Sequence, residues 1–81
     1  MSASLIAPAR RYATLTPSDT VDFANGICRA IYVGGGGDVA AVREDGTVVV
    51  FSNVQSGAML PIMARRVNAT ATTATLMDVL Y

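Results

Sequence analysis

The sequence predicts a small all-β fold, a single-domain antiparallel sandwich or barrel. Three observations carry this expectation. Turn signals recur roughly every eight to twelve residues. Between them lie short runs rich in β-branched and apolar side chains, the composition that suits a pleated surface. The length of 81 residues fits one domain, because a chain this small buries only about 60% of its unfolded surface.

The elements follow in order. Met1 to Ala9 is small and mixed, with Pro8 near its end, and is expected to form an N-terminal arm before a β domain over residues 10–81. Thr16-Pro17-Ser18-Asp19 is a turn signal, since Pro17 presets φ and Asp19 bonds downstream backbone. Thr20 to Phe23 alternates polar and apolar, as a half-buried strand does, and Asn25-Gly26 closes it. Ile27 to Val33 is a strand candidate, with Ile27, Arg29, Ile31 and Val33 on one face and Cys28, Ala30 and Tyr32 on the other. Gly34 to Gly37 is expected to be a flexible connection to the next strand, Val39 to Arg43. Glu44-Asp45-Gly46 is a tight hairpin connection. Thr47 to Phe51 is the strongest strand pattern, and its lack of alternation predicts that both faces are covered. Val48, Val50 and Phe51 with Ile31, Val33 and Val42 are therefore the expected centre of the core. Pro61 cannot donate to a ladder, so Met59 to Met63 is placed at an edge. Ala64 to Val67 continues as a strand with Arg65 and Arg66 on opposite faces. Ala69 to Thr75 is ambiguous, and Leu76 to Tyr81 is assigned to a last strand.

Composition narrows the function. Hydrophobic residues make up 52% of the chain and charged residues 15%, against about 25% charged in average proteins. That excludes a disordered tail. There is no Lys, and all six basic residues are Arg, the cation suited to desolvated interfaces. Burial in an assembly follows as the expectation. A net charge of zero argues against nucleic acid as a partner, since phosphate binding needs a basic excess. Without His there is no imidazole base, and one Cys gives neither a disulfide framework nor a multi-Cys metal site. No apolar run approaches the roughly 18 residues of a membrane span, and Met1 to Pro8 lacks the basic region of a secretory leader.

No constellation suits catalysis or a cofactor. The glycine run lacks the Lys-Ser or Lys-Thr of a phosphate loop. Asp19 with Asp22 and Glu44 with Asp45 sit beside turns, where acidic residues are common without catalytic or cation-binding work. Cys28 has no neighbouring base in the pattern and is expected to be a buried small hydrophobe. Asn68-Ala69-Thr70 matches a glycosylation acceptor, a pattern common by chance. Catalytic, cofactor and metal residues are accordingly all expected to be absent.

The order of several short motifs carries a resemblance. They are Thr16-Pro17-Ser18-Asp19-Thr20, Cys28 to Gly35, Asp45-Gly46-Thr47-Val48, Leu60-Pro61-Ile62, Arg66-Val67, Thr72-Thr73-Ala74-Thr75 and Leu80-Tyr81. Over residues 10–81 the chain resembles the head spike base proteins of gene transfer agents and related tailed siphophages. It departs at Ala71, where glycine is common in that family. The resemblance implies a structural virion protein, made in the host bacterial cytoplasm, that binds the major capsid protein on the outer capsid surface. It further implies a homo-oligomer, pentameric by preference over trimer or dimer, that carries a spike fibre. The alternatives are a decoration or cement protein spread over the shell and a small receptor-binding adhesion module. The five aromatics, Tyr12, Phe23, Tyr32, Phe51 and Tyr81, lie in or beside strand patterns rather than at loop tips, which disfavours adhesion. Candidate capsid or subunit interface residues are Leu5 and Ile6 in the arm, Arg10 and Arg11 where it meets the domain, and Arg65 and Arg66.

Overall fold

The computed structural model describes residues 11–81. Seven strands are present among them: β1 (Tyr12–Thr14), β2 (Ala30–Gly35), β3 (Gly37–Val42), β4 (Val48–Val54), β5 (Ala58–Leu60), β6 (Arg66–Val67) and β7 (Thr75–Leu80). They form a four-stranded sheet in the order β1-β7-β2-β5 and a three-stranded sheet in the order β4-β3-β6. Every pairing is antiparallel. The fold is all-β, as the sequence predicts.

Alternation builds the core between the two sheets. In β2, Ile31 and Val33 are fully buried while Tyr32 between them is exposed. In β7, Met77 and Val79 point inward while Leu76 and Asp78 point out. Val39, Ala41 and Val67 close the core from the smaller sheet, and Leu15, Cys28, Ala64 and Ala74 fill its ends from the connecting segments. Phe51 packs against this cluster without being fully buried.

The expected centre of the core is therefore half right. Ile31, Val33 and Val42 are fully buried, but Val48 and Val50 are each 45% exposed. The reason is position. Among the described residues β4 is an edge strand, paired only with β3, so a run of valines that resembles a doubly covered strand is left open. Two other elements differ from expectation. Thr20 to Phe23 is irregular, held by the hydrogen bond from Phe23 N–H to the Arg65 carbonyl at 2.9 Å. Tyr12 to Thr14 forms β1, which no alternation in the sequence signals.

The glycine run is a crossover rather than a loop. Gly34 and Gly35 end β2, Gly37 starts β3, and Gly36 alone passes the chain between the sheets. A Cβ on Gly36 would lie 2.6 Å from the Val54 carbonyl oxygen, and one on Gly34 would lie 2.6 Å from that of Leu76. Both neighbours are backbone, so neither site has room for a side chain.

Ala71 holds φ +71°, in the left-handed region where a Cβ costs roughly 1–2 kcal/mol. This explains why glycine suits that position. Ala71→Gly is expected to stabilise the fold by about 0.5–1 kcal/mol, after allowing for glycine's greater unfolded-state freedom. Chemical denaturation measures it directly, and a destabilised Gly variant contradicts the assignment.

Candidate interaction surfaces

The sequence-proposed interface residues fall into three groups. Leu5, Ile6 and Arg10, like the arm over residues 1–9, lie outside the described residues. Arg11 is exposed at the entry to β1, and its carbonyl accepts the Tyr81 N–H at 2.8 Å. Arg65 and Arg66, expected on opposite faces, both reach one carboxylate. Arg66 Nη1 donates to Asp22 Oδ1 at 2.8 Å, and Arg65 Nε lies 3.6 Å from Asp22 Oδ2. Arg66 also donates from Nε to Asn68 Oδ1 at 3.0 Å. Asp22 thus ties the irregular segment before β2 to β6.

Asp19 has a comparable structural task. Its carboxylate accepts the Thr70 N–H at 2.9 Å and the Thr70 hydroxyl at 2.8 Å. Those bonds, the backbone N–H foremost, hold its pKa below the ordinary 3.8, with Arg66 adding a smaller electrostatic pull. A depressed folded-state pKa stabilises above the unfolded value and loses that contribution as pH falls through the folded value. The stability gap between the native chain and Asp19→Asn is therefore expected to be constant at neutral pH and to close below about pH 4. Denaturation midpoints measured from pH 7 down to pH 2 check this; a gap that widens in acid contradicts it.

The Cys28 side chain is fully buried. Its thiol donates to the Ile62 carbonyl at 3.5 Å, and burial pushes its pKa up. That disfavours the thiolate a nucleophile needs. Among the described residues no three potential ligands cluster to hold a metal ion. Among the described residues no helix is long and apolar enough to cross a membrane.

What the fold does display is uncovered apolar sheet. The outer face of the four-stranded sheet carries Tyr32 from β2, Met59 from β5 and Leu76 and Leu80 from β7. Met59 is 50% and Leu76 79% exposed. Register brings Tyr32 opposite both Met59 and Asp78, so one carboxylate stands among apolar side chains. Among the described residues Asp78 forms no ion pair. The second uncovered region is the β4 edge, where Val48, Val49 and Val50 are all exposed. Beside it, Val49, Phe51, Ile62 and Met63 line a groove of about 240 Å³.

A solved structure superposes on nearly the whole chain. It is 39% identical in sequence with a TM-score of 0.84, and the match covers 95% of this chain and 88% of the other. That structure is described as the capsid of a native GTA particle, computed with C5 symmetry. The chain belongs to a family of gene transfer agent capsid-related proteins. No family model and no curated protein matches it. For a capsid-related protein the uncovered apolar faces have a ready physical sense, since surface of this kind marks sites of association. Sequence reasoning missed both faces. The signal was present in Tyr32, Met59 and the valine run, but which strands are edges is a property of topology.

Proposed function

We propose that this protein is a structural component of the outer capsid surface of a gene transfer agent or tailed phage. It forms an oligomeric head spike base by binding the major capsid protein, and it offers a platform for a fibre. It works by binding rather than by catalysis. The observation that supports this reading best is the 39% identity over 95% of the chain to a GTA capsid structure. The fivefold symmetry with which that particle was computed suits a ring of five at a capsid vertex.

In this reading residues 10–81 are the β domain, and the preceding residues are an attachment arm in which Leu5 and Ile6 contact the capsid. The outer face around Asp78 extends the capsid contact. It suits an apolar capsid segment that presents one Arg or Lys to the carboxylate, because charge-assisted bonds strengthen when water is excluded. Arg65 and Arg66, already engaged by Asp22, serve at most at the rim.

Deleting residues 2–9 is expected to leave the β domain folded while weakening co-sedimentation with capsids about tenfold or more. Equal binding by the truncated chain moves the attachment to the Asp78 face, which Asp78→Arg then tests. Gold-labelled protein on intact particles separates a spike base, confined to vertices, from a decoration protein spread over the shell.

A further inference from the structure

Among the described residues the longest free sheet edge is β4, and the hydrogen bonds on the far side of β3 show which of its groups are unpaired. The Val42 carbonyl accepts from Arg65 N–H at 3.0 Å and the Ala40 carbonyl from Asn68 N–H at 2.9 Å, so both residues face β6. Their register partners on β4 are Val48 and Val50. In an antiparallel ladder such partners turn their own N–H and C=O groups away from each other. Val48 and Val50 therefore present two donors and two acceptors along the open edge. No charged residue lies between Val48 and Val54. The usual lysine guard against strand addition is absent.

The sheet order limits what fits there. β4 joins β5 through residues 55–57, so these two edges share one flank of the sandwich. β1 and β6 form the opposite flank. A head-to-tail assembly joins one flank to the other. β6 is closed by the preceding segment, through Ser18 N–H to the Val67 carbonyl and Phe23 N–H to the Arg65 carbonyl, each at 2.9 Å. β1 is open. The Arg11 carbonyl accepts from Tyr81 N–H just past β7, and Leu15 N–H donates to the Met77 carbonyl in β7, so Tyr12 and Thr14 turn their backbone groups outward. Tyr12 is also 73% exposed, an aromatic counterpart to the apolar groove beside β4.

Charge fixes the direction. Arg11 precedes β1, and Glu44 sits at the hairpin tip that precedes β4. Neither has an ion-pair partner among the described residues. Only a parallel alignment brings these two ends together. Building on the oligomer proposed above, we infer that the β4 edge is taken by β1 of a second copy of this chain, the strands running parallel so that Arg11 meets the partner's Glu44.

The test is assembly of the full chain, measured by native mass at micromolar concentration, beside capsid co-sedimentation. Val50→Lys is expected to abolish oligomers while its melting temperature stays within a few degrees of wild type, since Val50 lies outside the buried core. Arg11→Glu and Glu44→Arg are each expected to weaken assembly about tenfold, and the double variant to recover it. Persistent oligomers in Val50→Lys overturn the seam, as does a double variant weaker than either single one. Val50→Cys trapping a disulfide-linked dimer shows β4 pairing with itself and also overturns it. A wild-type chain that is monomeric both alone and on the capsid does the same. Oligomers that obey these expectations yet ignore capsids leave the seam intact and refute the capsid role, so the two failures are distinguishable.

Discussion

Ile31→Ala is expected to unfold much of the population. Ile31 is fully buried at the middle of β2, between Val79 on β7 and Leu60 on β5. Removing its outer carbons from a site with neighbours on both sides leaves a cavity that two hydrogen-bonded strands cannot collapse into. The cost is about 2–5 kcal/mol, against a total of about 5–10 kcal/mol for a domain of this size. A loss of 3 kcal/mol lowers the melting temperature by about 10–25 °C. Phe51→Ala is expected to cost less, because Phe51 only flanks the core from an edge strand. Thermal melts of the two variants side by side decide the order. If Phe51→Ala proves the more damaging, the partial burial of Phe51 at the margin of the core is contradicted.

Gly36→Ala is expected to destabilise by about 1–3 kcal/mol, the usual range for overpacking. The added methyl would stand 2.6 Å from the Val54 carbonyl oxygen and 3.0 Å from the Ser56 nitrogen. Relieving that contact means separating the β2–β3 crossover from the end of β4, which also stretches the bond from Gly36 N–H to Ser56 Oγ, now 2.9 Å. Gly36→Val should be worse, since both branches meet the same backbone. Gly57→Ala is the comparison: its site has open space and bears only the strain of φ +84°. Chemical denaturation of the three variants measures these differences. A Gly36→Ala chain of native stability contradicts the close crossover.

Much of the fold was legible in the residues. The alternation of Ile31-Tyr32-Val33 gives the correct inward face of β2, and Asp45-Gly46 marks the β3–β4 hairpin, with Gly46 at φ +94°. Pro61 follows β5, an edge strand, as its missing donor requires. The valine run failed for a physical reason. Periodicity reports whether a strand's two faces are alike, and cannot tell two buried faces from two exposed ones. The glycine run failed differently: a glycine kept for flexibility and one kept for close approach have the same letter, and only the positions of Val54 and Leu76 separate them. The arginine pair Arg65-Arg66 was singled out as partner-facing, but Asp22, more than forty residues away in sequence, meets both. The interface surfaces needed the strand order, because an edge is defined by what does not pair with it.

The central claim is that this chain is a capsid-surface protein that acts by binding. Co-sedimentation of the purified full chain with capsids of its parent particle tests it most directly. Saturable binding is expected, with the protein pelleting only when capsids are present and, for a spike base, with a fixed stoichiometry set by the number of vertices. Protein that remains in the supernatant at micromolar concentration, folded and with capsids in excess, contradicts it.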